Sequence, residues 1–229
     1  MAVPKAVGNL ASARAKVGVM TGDPSLAAVA IAGARVLSDP LVSAFVLGGT
    51  NGVRGLSGPR AAVDQVALGA ASDFSTAGSI SNTTVYFGIA LAGNWTTPQR
   101  VFNSINVQID LNNNDSSEFE VINTSIEGVI SNTVSGRDSM NDGFVNGILN
   151  SETEDVVEGG LINVLPPDKF DTALMANSVL ILPAPARKIG LTETQPRFRY
   201  RVRTLVETVS ETSNWIPFDA ARPGIDTTR

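Results

Sequence analysis

Apolar and polar residues alternate between positions 83 and 123, and this pattern restricts the secondary structure and fold that the chain can adopt. A Gly-Asn-Trp turn and an Asp/Asn-rich loop divide this stretch into three segments. Residues at every second position of a strand share one face, so each segment predicts a strand with one face on a core. The apolar positions at this spacing are Val85, Phe87, Ile89, Leu91, Ile105, Val107, Ile109, Leu111, Phe119 and Val121.

The rest of the chain extends this pattern. Residues 178–182 form a continuous apolar run that ends at Pro183, which is typical of a strand covered on both faces. Residues 198–204 alternate as one long late strand, and turn-forming residues recur throughout. We therefore predict an all-β fold, a β-sandwich of the Ig-like or jelly-roll-like kind.

Two composition shifts suggest how the chain is divided. A glycine-rich loop at 48–59 closes a small N-terminal β unit over residues 1–59, and residues 60–229 form the main sandwich. Residues 125–160 are polar and rich in turn formers, so we expect a long excursion from the sandwich there.

The chain contains no histidine and no cysteine. The absence of histidine removes the usual general base and every Ser-His-Asp triad, and the absence of cysteine removes disulfides and Cys-ligated zinc. No motif supports a carboxylate pair or a Ser-Lys dyad. We therefore expect a protein that is not an enzyme.

Charge and hydropathy narrow the expected partners. The 17 Lys and Arg against 22 Asp and Glu give a net charge of −5, and only 6% of residues are aromatic, so nucleic acid is an unsuitable partner. No apolar run is long enough to span a bilayer. The first 18 residues lack the apolar core of a signal peptide, so we expect either no export by that route or a fragment to which Met1 was added.

The loop at 110–118 is the candidate metal site. Asp110, Asn112, Asn114 and Glu118 stand at its first, third, fifth and ninth positions. Calcium takes about six to eight oxygen ligands, and alternate side chains of a tight loop can converge on one ion. The alternative is a hairpin loop in which Asn and Asp side chains cap their own backbone. In a calcium loop of this kind Asp115 stands at the turn position, where it must take a left-handed conformation or reshape the loop.

One tryptophan, Trp95, is a candidate contact residue. Trp95 could stack on a sugar or anchor a partner, which would make the chain a carbohydrate-binding module. The alternative is a half-buried tryptophan that packs over the sandwich edge, and Trp215 has the same interpretation.

Four arginines alternate along the late strand, at positions 197, 199, 201 and 203, so their side chains share one face. This stripe could bind an acidic partner or a neighbouring subunit, or it could be a solvated face with cross-strand ion pairs. An acidic cluster offers a complement, within one subunit or between two. The residues concerned are Arg197, Arg199, Arg201 and Arg203 in the stripe, and Glu152, Glu154, Asp155 and Glu158 in the cluster.

Several ordered motifs resemble the region C-terminal to the catalytic domain in secreted bacterial subtilisin-like serine proteases. They are YFGIALAGNWTTP with the loop that follows it, GAASDFSTAGSISNTT, FDTALMANSVLILP, RFRYRV and FDAARPGID, and near the start VGNLASARAKV and LVSAF. The likeness covers most of the chain and is thin between 125 and 160. The family's loop has aspartates where Asn112 and Asn114 stand here, and a glycine where Asp115 stands.

The resemblance reaches only an accessory region, because the family's catalytic residues lie in a different domain. It implies a secreted, extracellular or cell-surface module that binds a protein partner or stabilises a scaffold, with calcium rigidifying the 110–118 loop. A rival interpretation is a self-assembling structural subunit of a surface filament, sheath or virus-like particle. In that case the arginine stripe and the acidic cluster would be the two halves of a head-to-tail contact.

Overall fold

The computed structural model describes residues 2–4, 42–52, 55–95, 104–125, 144–162, 164–165, 169–170 and 176–223. The regular secondary structure of these segments is mostly β. The exceptions are a single helical turn, α1 (Phe74–Ala77), and 3-10 turns at Gly58–Val63, Ile80–Asn82 and Ala186–Ile189. Two main sheets pack on a shared core, which confirms the predicted β-sandwich.

The smaller main sheet has four antiparallel strands in the order β12-β5-β4-β3. Their bounds are β3 (Val46–Thr50), β4 (Gln65–Ser72), β5 (Thr84–Trp95) and β12 (Asn177–Pro185). The strand predicted at 85–91 is thus confirmed, but it is longer than expected. The predicted Gly-Asn-Trp turn lies inside β5.

The larger main sheet has seven antiparallel strands in the order β14-β13-β6-β7-β8-β9, and β15 pairs with the free half of β13. Their bounds are β6 (Ser104–Asp110), β7 (Phe119–Ser125), β8 (Phe144–Asn150), β9 (Val156–Leu161), β13 (Arg197–Val206), β14 (Val209–Thr212) and β15 (Ile216–Asp219). The strands predicted around 105–111, 119–121 and 198–204 are confirmed.

Two further pairs of short strands complete the description. β1 (Ala2–Pro4) pairs with β2 (Val42–Ala44), and β10 (Val164–Leu165) pairs with β11 (Lys169–Phe170). β3 lies within the predicted N-terminal unit, yet it pairs with β4. This strand therefore belongs to the sandwich sheet.

The expected excursion at 125–160 contains two strands of the larger sheet, β8 and β9, so this part of the segment does not leave the sandwich. Its alternation is hidden because a buried asparagine and the glycine opposite it, Asn146 and Gly160, occupy inward positions. Asn146 donates from Nδ2 to the carbonyl of Pro183 at 2.6 Å, and a Cβ at Gly160 would lie 2.7 Å from the Asn146 amide oxygen. Polar residues and glycine are typical of loops, so the sequence of this segment predicts a loop instead of strands.

The main core lies between the two sheets. Its centre is a set of aromatic rings in edge and tilted contacts: Phe87 lies 6.2 Å from Phe198 and 5.2 Å from Tyr200, and Phe198 lies 5.7 Å from Phe218. Such pairs add to the free energy gained by burying their area. The core fixes which face of β13 points inward, and it thereby points the arginines outward.

The four-stranded sheet is also covered on its outer face. A second buried cluster lies there, with Phe45, Tyr86 and Ile181 among its members. Leu180 and Leu182 point to the main core while Ile181 points to this second cluster, so the strand predicted to be covered on both faces is confirmed.

Candidate functional site

The loop between β6 and β7 folds around one carboxylate. Asp110 ends β6 and is 0% exposed. Its Oδ1 accepts the backbone N–H groups of Asn113 at 2.7 Å and Asn112 at 3.1 Å, and its Oδ2 accepts that of Asp115 at 3.0 Å. The carboxylate therefore satisfies successive backbone donors that a tight loop would otherwise leave unpaired.

The other predicted metal ligands make the same kind of contact. Asn112 Oδ1 accepts the N–H of Asn114 at 3.0 Å, and Asn114 Oδ1 accepts that of Ser116 at 2.8 Å. Glu118 Oε2 accepts the N–H of Leu111 at 2.7 Å, and its other oxygen accepts the amide of Asn112. The structure brings the four residues together, with their oxygens turned to backbone and amide donors as the capping alternative describes.

Two residues of this loop have left-handed backbone. Asp115 has a φ of 66° and Asn113 a φ of 61°. Asn and Asp tolerate this region better than most side chains, because they can bond to the nearby backbone. Of the two outcomes expected for Asp115, a left-handed conformation or a reshaped loop, the structure shows the left-handed conformation.

Arg199 joins the loop to the arginine stripe. In the ladder between β13 and β6 it stands opposite Asp110, and its Nη2 ion-pairs with Asp110 and, at 2.8 Å, with Asp115. Burial by itself raises the pKa of Asp110. The hydrogen bonds from Arg199 and from the N–H groups of Asp115 and Asn113 outweigh that effect, so the pKa lies below its ordinary value. The pKa of Arg199 is raised, chiefly by its bond to Asp110.

The other arginines share the outward face with Arg199, as predicted, while Phe198, Tyr200 and Val202 point into the core. We name the surface formed by Arg197, Arg199, Arg201, Arg203 and Trp215 the arginine face. Arg197 pairs with Asp219 at 2.9 Å, and Arg201 donates to Gln108 Oε1 at 2.6 Å. Arg203 is exposed, and among the residues that the structure describes no carboxylate pairs with it.

Trp215 is the contact residue that sequence reasoning undervalued. The Arg201 guanidinium lies 4.3 Å from the centre of its ring, and that of Arg199 lies 5.4 Å away. These are cation–π distances. Because Ile216 stands opposite Tyr200, the pairing of β15 with β13 brings Trp215, the residue before β15, beside Arg201. The signal was therefore the pairing of two strands that are not consecutive in the chain, which a single strand pattern does not carry.

Trp95, the other candidate, lies in the main core and is 3% exposed. A ring buried to this degree presents no face to a sugar, so the expected stacking site at Trp95 is corrected to a packing position. Gly93, which was predicted to lie in a turn, is required at its position for a different reason. A Cβ at Gly93 would lie 2.5 Å from Ala61 Cβ, so the close approach of the 3-10 turn at Gly58–Val63 requires glycine there.

The acidic cluster lies apart from the arginine face. Glu152, Glu154 and Asp155 are exposed in the turn between β8 and β9, and Glu158 pairs with Lys188 at 3.0 Å. Within the described segments the ion-pair partners of the stripe are Asp110, Asp115 and Asp219 instead. Strands β6 and β7 separate β13 from β8.

An open groove of about 540 Å³ adjoins the arginine face at the end of the sandwich. Its walls come from the 110–118 loop, the segment before β13 and the turn after β15. Lining residues include Asn113, Gln195, Arg197, Asp219 and Arg222. The lining of the groove is mixed polar and apolar, and it carries two arginines beside a single carboxylate.

The described segments hold no group of three or more Asp, Glu, His or Cys residues placed to bind a metal ion. No helix in the same residues is long and apolar enough to cross a membrane. Comparisons with protein-family models, curated proteins and solved structures find no match.

Proposed function

We propose that the chain is a non-catalytic β-sandwich recognition module, that the arginine face is its binding surface, and that its partner is a protein with an acidic surface. One observation carries this proposal. Arg201 and Arg203 are exposed or half-exposed cations on a rigid sheet, and no carboxylate among the described residues neutralises them.

The contacts of Glu120, an acidic residue across the sheet, support the availability of the Arg201 charge. Glu120 is the carboxylate across the sheet from Arg201, beyond Gln108. Its oxygens accept the side-chain amides of Gln108 at 2.7 Å and Asn106 at 3.1 Å. A polar ladder therefore crosses three strands and holds Arg201 in position without cancelling its charge.

Preorganisation supports the same surface. Arg201 is fixed by its bond to Gln108 and by the ring of Trp215, so little side-chain freedom remains to be lost on binding. A guanidinium presents a planar fork that matches a carboxylate. Tryptophan and arginine are also the residues that most often dominate the free energy of protein interfaces.

The resemblance to the accessory region of secreted subtilisin-like proteases supports the module interpretation. The motif RFRYRV supplies the strand β13 that carries the arginine face, and FDAARPGID begins in β15 beside it. An extracellular or cell-surface setting beside such a protease is part of the proposal. In that setting the module binds or stabilises, and the partner domain performs the chemistry.

The test is a titration with a poly-glutamate peptide, followed by tryptophan emission, because Trp215 contacts Arg201 directly. We expect saturable binding that weakens with salt, and a loss of about tenfold or more in affinity in the double variant Arg201→Ala/Arg203→Ala. Arg60→Ala is the control, since Arg60 is an exposed arginine outside β13 whose charge is paired with Glu207. Equal affinity of the double variant and the control would refute the proposal.

Self-association is a second candidate, favoured by the exposed acidic turn on the same sheet as the arginine face. Two different surfaces in head-to-tail contact build rings or filaments. Light scattering of the purified chain tests this candidate. We expect an assembly that is lost in Arg201→Glu/Arg203→Glu and in Glu152→Lys/Glu154→Lys, and association that returns when the two variants are mixed, because opposite charges then meet again. A wild-type monomer at all accessible concentrations excludes it.

A further inference from the structure

We propose that the guanidinium of Arg199 is the built-in cation of the 110–118 loop, and that this loop takes its fold without a metal ion. The resemblance implies calcium at this loop, but the arrangement of its residues does not fit that ion. A calcium site needs about six to eight oxygens directed at one point. Here the oxygens of Asp110, Asn112, Asn114 and Glu118 accept N–H groups instead.

The position of the guanidinium is the main argument. Arg199 Nη2 bridges Asp110 and Asp115, the two aspartates of the loop, and the Arg199 side chain is only 23% exposed. A divalent ion held by both carboxylates would occupy the space in which the guanidinium lies. Two cations at such a distance repel each other strongly in a partly buried site. Ion and arginine therefore exclude one another.

The substitutions within the loop agree with this assignment. Asparagines at 112 and 114 lower the negative charge of the loop. Asp110 and Asp115 are the carboxylates in contact with Arg199. The single positive charge of Arg199 therefore replaces the double charge of a calcium ion. Because Arg199 belongs to β13, the replacement also ties the loop to that strand, which a free ion would not do.

The experiment compares the wild-type chain with Arg199→Ala and Arg201→Ala by thermal unfolding in EDTA and in calcium, and by terbium luminescence. Arg201→Ala is the matched control, because Arg201 also lies on the outer face of β13 and over Trp215 but donates to the neutral Gln108. Trp215 lies close enough to Arg199 to sensitise terbium bound in its place.

We expect the same Tm for the wild type in EDTA and in calcium, and no terbium signal. Arg199→Ala should melt several degrees lower in EDTA, recover part of that loss in calcium and give a terbium signal that calcium removes. Arg201→Ala loses a hydrogen bond and a cation–π contact, so it should melt slightly below the wild type, but its Tm should be insensitive to calcium and it should give no terbium signal. Arg199→Lys, which keeps the charge, provides a second variant in case Arg199→Ala does not fold, and it should remain insensitive to calcium.

Three results would overturn the proposal. The first is a wild-type Tm that rises in calcium and falls in EDTA, which would place a metal in the native loop. The second is an Arg199→Ala variant that is as stable in EDTA as Arg201→Ala. The third is an Arg199→Ala variant that loses stability but takes up neither calcium nor terbium, since the guanidinium would then not stand in for an ion.

Discussion

Gly88 faces Gly69 across the ladder of β4 and β5, and the ring of Phe45 lies against this pair. A Cβ at Gly88 would lie 2.9 Å from a ring carbon of Phe45, and a Cβ at Gly69 would lie 3.0 Å from Phe45 Cβ. The two missing side chains thus make the depression that seats a fully buried phenylalanine on the outer face of the four-stranded sheet.

This packing predicts the effect of Gly88→Ala. The added methyl forces Phe45 to move, and overpacking of this kind lowers the free energy of unfolding by about 1–3 kcal/mol. Gly52→Ala is the control, because a Cβ there would meet nothing within 4 Å. Urea denaturation measures both variants, and an equal midpoint for the two would contradict the seating of Phe45.

The buried hydroxyl of Tyr200 leads us to expect that Tyr200→Phe stabilises the fold. Its hydroxyl is buried and has no hydrogen-bond partner among the described residues, and burial raises the pKa of the phenol. Removing an unsatisfied buried hydroxyl should raise the free energy of unfolding, so we expect Tyr200→Phe to gain about 1 kcal/mol. Tyr86→Phe should have the opposite sign, because the Tyr86 hydroxyl donates to Asp73 Oδ2 at 3.4 Å. Chemical denaturation of the two variants compares the signs directly.

Asp110 predicts part of the acid sensitivity. Because its pKa in the folded chain lies below the ordinary value of 3.8, its ionised form contributes stability that is fully present above that value. This stability is lost as the pH falls through the lower folded pKa. Carboxyl NMR should therefore show Asp110 titrating below pH 3.8 in the wild type and at a higher pH in Arg199→Gln. A wild-type titration at or above 3.8 would show that burial outweighs the hydrogen bonds.

The tryptophans predict two distinct fluorescence signals. Trp95→Phe leaves Trp215, which is half-buried under two guanidiniums and should emit at longer wavelength and be quenched by acrylamide. Trp215→Phe leaves Trp95, whose emission should be blue-shifted and hardly quenched. Strong quenching of Trp95 would contradict its burial and make it a candidate contact residue again.

The strands could be predicted because their signal is local. Period-two alternation in 85–91, 105–111 and 198–204 marks each inward face without knowledge of the partner strand. β8 and β9 were missed because Asn146 and Gly160 stand where apolar residues would reveal an inward face. The extent of β5 was missed because Gly93 was interpreted as a turn residue, whereas Ala61 accounts for it by close approach.

The candidate site could be predicted only in parts. Asp110 and Arg199 were recognised separately, as members of a metal loop and of a stripe. They are 89 positions apart in the chain, and only the pairing of β6 with β13 brings them together. Strand pairing of this kind is non-local, so neither periodicity nor motif spacing contains it. Trp215 was undervalued for the same reason.

The contact of Arg199 with the 110–118 loop also has a consequence for how β13 finds its place. A shift of β13 by one residue would put Tyr200 beneath the loop and would turn four guanidiniums toward the aromatic centre of the sandwich. Burying unpaired charges there is prohibitive, and the loop would lose its counter-ion at the same moment. The arginines thus make a misaligned pairing of β13 unstable. The residues that face outward in the native fold therefore also help to determine the register of the sheet.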